Sequence, residues 1–217
     1  MNDIAAMIDH TLLRPDANER DILRLCNEAG EYGFYAVCVN PSWVKTARSF
    51  LSNTGTKIAA VIGFPLGMTL PQVKIYEAME SLFCGADELD MVINIGNARS
   101  GNWTAVTREI SDVVAATGSA VRKIIIETCF LSDDQKARAC EAVLRAGAEF
   151  IKTSTGMGTS GATVRDVAMI KSLVAGKVRI KAAGGIKTMA QLRALVNAGA
   201  ERIGTSSGVA IIKESGK

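Results

Sequence analysis

Short runs of apolar and β-branched residues recur along the chain, each closed by a polar or glycine turn and followed by a stretch of helical periodicity. The runs are YAVCVN (35–40), KIAAVIG (57–63), ELDMVIN (88–94), KIIIE (123–127), FIKTS (150–154), VRIKAAG (178–184) and RIGTS (202–206). Their length and their Val and Ile content predict strands. An eighth run, MIDHT (7–11), is short and mixed. It precedes RPDANERDILRLCNEAGEYG, which has a proline early, acids in its first turn and glycines near its end, as a helix does. In SDDQKARACEAVLRAGA, Ser132 predicts an N-cap and Gly147 a C-terminal stop. Eight alternating βα units of near-uniform length predict a parallel sheet closed into a (β/α)8 TIM barrel. Strands apolar on both faces suit a sheet wrapped by helices. An open doubly wound sheet is the alternative; the even repeat and the lack of any shift in composition favour the barrel, as a single domain over 1–217.

Strand alternation then says which side chains share the interior. With Lys152 inward, Ile151 and Thr153 face the helices, and the same parity puts Lys181 inside between Ile180 and Ala182. In ELDMVIN, Leu89, Met91 and Ile93 belong against helices, which leaves Glu88, Asp90, Val92 and Asn94 inside; Asp9, Thr11, Cys38 and Asn40 follow on the first two strands. One buried lysine reads as a structural ion pair or a side chain snorkelling out at a strand end. Two on adjacent strands, with acids on facing strands, are costly to bury unless function retains them. A neighbouring ammonium and partial desolvation both disfavour the charged form of a lysine, and a neutral amine condenses with carbonyls. The expectation is that one lysine forms a Schiff base and the other activates it.

A second pattern concerns the substrate's handle. AAGGIKT ends the seventh strand and GTSSGVA the eighth, so Gly184, Gly185, Gly204, Thr205, Ser206, Ser207 and Gly208 converge where barrels place a phosphate site. Glycines there also serve as plain turn residues, but two such loops in the two expected positions point to a phosphorylated substrate. Gly156, Gly158 and Gly161 match the G-x-G-x-x-G dinucleotide fingerprint. That site would need an acid about 20 residues on, at the end of the next strand. The strand there offers Arg179 and Lys181, so the segment reads as a substrate loop.

Composition narrows the chemistry further. The 217 residues carry 25 basic and 22 acidic side chains, a formal charge of +3, and no basic run interleaved with aromatics. Nucleic acid is therefore not an expected partner. The longest apolar stretch, IAAVIGFPLGM, is interrupted by proline and glycine, and the N-terminus shows no leader pattern, so no membrane association and a cytoplasmic location are expected. Five widely spaced cysteines without a C-x-x-C pair read as reduced thiols, and Cys38 by itself reads as an inert core thiol. Trp43 and Trp103 lie in helical patterns and read as packing residues. The single histidine, His10, cannot build a histidine-rich metal site, so neither metal nor cofactor is expected. A homo-oligomer, dimer or tetramer, is compatible with the chain.

The segments IDHTLLRPD, AVCVNPSWV, VIGFPLGMT, GADELDMVINIG, IIETCFL, FIKTSTGMGTSGAT, IKAAGGIKT and RIGTSSGV together resemble the 2-deoxyribose-5-phosphate aldolases, in the family's order and over essentially the whole chain. The resemblance implies a class I aldolase that reversibly cleaves 2-deoxy-D-ribose 5-phosphate to D-glyceraldehyde 3-phosphate and acetaldehyde. It also implies that Lys152 is the Schiff-base lysine, Lys181 the lysine that perturbs it, and Asp90 the acid that relays protons through water. Asp9, Thr11, Cys38 and Thr155 match positions lining the family's pocket, and Gly184, Gly185, Gly204, Ser206 and Ser207 match its phosphate site. No role carries over to Met157. The chemistry agrees with the residues, because a protonated imine at C1 stabilises carbanion character at C2 as an enamine and makes lysine the electron sink. Two rival readings stay open: a nicotinamide-dependent oxidoreductase using the glycine loop, and a phosphosugar-binding barrel without catalysis. Spectral change on adding a nicotinamide cofactor would reveal the first, and binding without acetaldehyde release the second.

Overall fold

The computed structural model describes residues 2–214. Eight strands, β1 (Ile8–Leu12), β2 (Ala36–Val39), β3 (Lys57–Ile62), β4 (Glu88–Val92), β5 (Val121–Ile125), β6 (Phe150–Lys152), β7 (Arg179–Ala183) and β8 (Arg202–Thr205), pair in parallel in sequence order. β8 returns to β1 through Ile8–Ile203 and Asp9–Gly204, which closes the barrel. The helices are α1 (Asn2–Ala5), α2 (Glu19–Tyr32), α3 (Val44–Leu51), α4 (Pro71–Phe83), α5 (Ile95–Arg99), α6 (Trp103–Ala116), α7 (Asp133–Ala146), α8 (Val164–Val174), α9 (Met189–Ala198) and α10 (Gly208–Glu214). The short α1 and α5 are additions to the expected βα repeat.

Local signals set the helix limits. Ser132 caps α7 by accepting from Gln135 N while the Gln135 side chain reaches back to the cap, and Gly147 stops the helix with φ 78°, a left-handed turn that glycine adopts freely. Asn18 and Asp21 make the same reciprocal cap on α2, so that helix begins later than its proline suggests. β6 is shorter than the FIKTS run. Beyond Lys152 the Thr153 hydroxyl takes over, accepting from Ala183 N at 3.2 Å and donating to Ala183 O at 3.3 Å.

Two apolar regions result. The large one lies between sheet and helices, where Ile8, Val37, Ile58, Leu89, Met91, Ile124, Ile151, Ile180 and Ile203 are buried against the helices. Inside the barrel only a small cluster forms, from Leu13, Cys38, Ala59 and Val61 with Phe64. It fills the β2–β3 side, while elsewhere in the interior Val92, Ile125 and Phe150 are buried alongside charged groups. Outside the barrel, Lys74 of α4 pairs with Glu109 of α6 at 2.7 Å and donates to Val92 O at 2.8 Å, while Glu109 accepts from Asn94 N at 3.0 Å. This buried pair clamps the exit of β4, the strand that carries Asp90.

Candidate active site

Alternation along β4, β5, β6, β7 and β8 turns Asp90, Lys123, Lys152, Lys181 and Arg202 into one interior, where β1 adds Asp9 and β4 adds Glu88. Asp90 accepts from Lys123 at 2.7 Å, Lys152 at 2.8 Å and Lys181 at 2.7 Å. Lys181 also bonds Asp9, which accepts from Arg202 at 2.9 Å. Glu88 joins Lys123 at 2.7 Å to Arg202 at 3.1 Å. Four cations thus face three carboxylates, and one positive charge is left over when all are ionised. Burial alone would raise both aspartate carboxyls. The Lys123, Lys152 and Lys181 ammoniums outweigh it at Asp90 and hold that group well below the usual carboxylate range, and Lys181, Lys123 and Arg202 bring Asp9 to about 2. Burial works equally against the Lys181 ammonium, but Asp9 and Asp90 outweigh it and keep the group above the ordinary lysine range.

Above this network opens a cavity of about 550 Å³, lined by Thr11, Lys152, Thr155, Gly156, Met157, the 183–187 segment and the 204–207 segment among others. Of the three interior lysines among the described residues Lys152 alone lines it; Lys123 and Lys181 have no exposed surface. Asp9, Cys38 and Asp90 also lie wholly beneath the floor. The Cys38 thiol sits 3.9 Å from Asp90 Oδ2, and burial and then that carboxylate push it up, so it stays protonated. Gly184, Gly185, Ser206 and Ser207 converge on the cavity with Lys187 beside them. Gly204 lines the cavity too, but a Cβ there would meet Lys181 Cε at 3.1 Å, so its missing side chain makes room for the lysine stem.

The glycine-rich loop after β6 has a local cause. A Cβ on Gly161 would lie 2.0 Å from Gly184 O, and Ala162 N donates to the Ala183 and Gly184 carbonyls at 3.1 Å each. The loop is seated backbone to backbone on the β7 exit, which only glycine allows.

A family model for DeoC/LacD family aldolases matches residues 4–214. The chain belongs to this family of aldolases. It is 54% identical over 215 residues to the deoxyribose-phosphate aldolase of Thermococcus gammatolerans, covering 97% of this chain and 96% of the relative. It is 49% identical over 213 residues to the deoxyribose-phosphate aldolase of a Geobacillus species, covering 98% and 96%. The tetrameric deoxyribose phosphate aldolase of Aeropyrum pernix superposes with a TM-score of 0.93 at 37% identity, covering 100% of this chain and 92% of that one. The DeoC/LacD assignment gives no support to a nicotinamide enzyme, and the close seating of Gly161 accounts for the fingerprint-like spacing. Among the described residues no helix is long and apolar enough to cross a membrane.

Several residues of this aldolase site escaped the pattern reading. Lys123 was legible, because Ile124 and Ile126 of KIIIE face the helices and the same parity turns Lys123 inward. Arg202 opens RIGTS and is inward by the parity of Gly204. Glu127 carries no such signal, since its place depends on a left-handed backbone and on a partner 28 positions away.

Proposed function

We propose that this chain cleaves 2-deoxy-D-ribose 5-phosphate reversibly to D-glyceraldehyde 3-phosphate and acetaldehyde through a Schiff base on Lys152, within one barrel domain spanning 1–217. The observation that carries the assignment is that Lys152 is, among the described residues, the one interior lysine that meets the cavity. The site's surplus positive charge disappears when Lys152 is the neutral amine, the form that attacks a carbonyl.

In this reading Lys152 Nζ adds to C1 of the open-chain sugar, water leaves, and a protonated imine forms. A base takes the proton of the C3 hydroxyl, the C2–C3 bond breaks, and its electron pair flows into the imine to give an enamine and D-glyceraldehyde 3-phosphate. The enamine takes a proton at C2, and water hydrolyses the resulting imine to release acetaldehyde. The imine is the electron sink, so the scheme calls on no metal or cofactor. Asp90 accepts from the reacting nitrogen at 2.8 Å and from Lys181 at 2.7 Å, so that in this reading Asp90 is the group through which the nitrogen of Lys152 communicates with Lys181 during proton exchange. Gly184, Gly185, Ser206 and Ser207 would hold the phosphate, with Lys187 available as a counter-ion, while Gly204 leaves room for the Lys181 stem and Thr11 and Thr155 line the sugar's path.

Five free thiols support a reducing, cytoplasmic setting. The exposed apolar stripe Leu70, Val73, Tyr76 and Phe83 on and beside α4, together with the tetrameric relative, supports a homo-oligomer. The test is borohydride trapping with acetaldehyde alongside a coupled assay of acetaldehyde release. Wild type should release acetaldehyde and carry the reduced adduct on Lys152, whereas Lys152→Ala should do neither. An adduct mapped to Lys123, Lys181 or Lys187 would reassign the nucleophile.

A further inference from the structure

Glu127 follows β5 and is the residue from which the short 128–130 turn begins. Its backbone is left-handed, at φ 51° and ψ 68°, and among the described residues only Ala175 shares that region without being glycine. A residue with a Cβ is disfavoured there, so a side chain kept at that position calls for a role. The side chain is buried, and no cation lies within 4 Å of it among the described residues. Every polar neighbour is a donor. Thr155 N approaches both carboxylate oxygens at 3.2 Å, the Thr155 hydroxyl donates to Oε2, and Cys129 Sγ lies 3.8 Å from Oε1.

A threonine hydroxyl has one hydrogen and two lone pairs. The carboxylate takes the hydrogen of Thr155, and Met157 N donates to the hydroxyl oxygen at 3.0 Å, occupying one lone pair. Thr155 lines the cavity, three residues past the nucleophile and next to the phosphate-side glycines. What it can offer the cavity is therefore an acceptor. We propose that Glu127 is a positioning residue that fixes Thr155 as a hydrogen-bond acceptor, so that the pair selects substrates bearing a hydroxyl between the reacting carbon and the phosphate. This inference rests on the reaction proposed above. On that reaction the C3 hydroxyl is consumed, and the C4 hydroxyl, which becomes the 2-hydroxyl of D-glyceraldehyde 3-phosphate, is the donor available to Thr155.

Glu127→Gln keeps the shape and still lets one oxygen accept from Thr155 N. Its amide would donate to the Thr155 oxygen, however, and turn the hydroxyl's hydrogen toward the cavity. Thr155→Val deletes the hydroxyl. The measurement is kcat/KM in the synthetic direction, acetaldehyde with D-glyceraldehyde 3-phosphate against acetaldehyde with 3-phosphonooxypropanal, which has the same phosphate but no 2-hydroxyl. A site built to bond a hydroxyl discriminates strongly against the analogue that lacks it. The wild-type preference for the hydroxylated acceptor should fall by about 10-fold or more in each variant, and the double variant should fall no further than Thr155→Val, because Glu127 acts through that hydroxyl. Equal losses on both acceptors, or a preference unchanged in Thr155→Val, would overturn the inference. A wild type that traps no acetaldehyde on Lys152 would instead overturn the reaction itself.

Discussion

Lys181 has no exposed surface, and its ammonium is held between Asp9 and Asp90. It is a fixed positive charge that shares the Asp90 carboxylate with Lys152, the proposed nucleophile. Replacing it by leucine removes that charge and leaves more of Asp90's field to Lys152. The neutral amine then becomes rarer at a given pH, and the rise of the borohydride trapping rate with pH should move upward. A displacement of one unit corresponds to about 1.4 kcal/mol and a tenfold change in the reactive fraction. Asp9 and Asp90 keep Arg202, Lys123 and Lys152 as partners, so Lys181→Leu should still fold, with a lower unfolding midpoint. An unchanged trapping profile with a large loss of stability would make Lys181 a structural ion-pair member and nothing more.

At the scale of elements, the loops after β7 and β8 look alike in sequence but do different work. Gly185 has φ 75° and faces open space, whereas the side-chain direction of Gly204 points at Lys181 Cε and at Ala183 Cβ, 3.0 Å away. Gly185→Ala should therefore act on the proposed phosphate loop, raising KM for deoxyribose 5-phosphate several-fold more than for deoxyribose. Gly204→Ala should press on the lysine stem and lower turnover of both substrates alike. Equal behaviour of the two variants would place both glycines in one role. The same contrast shows what a strand pattern can disclose. Inward parity gave Lys152, Lys181, Asp90 and Asp9 directly, because a period of two fixes the face of every residue in a strand. It does not say how deep a residue lies, so Asp9 and Cys38 share the face of Thr11 yet sit beneath the floor. It says nothing once the strand ends, which is why the Thr155 to Glu127 contact and the seating of Gly161 on Gly184 had no counterpart in the pattern. Lys123 had the right parity but was masked by the isoleucines that follow it.

Across the whole molecule, the barrel interior holds seven ionisable groups beside its apolar residues, and the stability of the fold becomes tied to their charge. The carboxyl of Asp9 is lowered to about 2 in the folded chain from an ordinary value of 3.8, with Asp90 lowered as well. A group lowered on folding contributes stability that is present above its unfolded value and is lost as pH falls through its folded value. For Asp9 the window runs from about pH 4 down to about pH 2, and the difference corresponds to on the order of 2 kcal/mol. Lys181 is raised on folding, so its contribution is present below the ordinary lysine value and is lost only on the alkaline side. Stability should therefore be nearly level from about pH 5 to 9 and fall as pH drops below about 4. Asp9→Asn tests whether this interior network is the cause. The amide cannot answer the charges of Lys181 and Arg202, so the variant should unfold at lower denaturant than wild type at pH 7, and the gap should narrow as pH approaches 2, where wild type loses the same charge. Denaturant midpoints of both proteins against pH decide the matter. A gap that stays constant across the acid range would mean that Asp9 stabilises the barrel through packing and not through its charge.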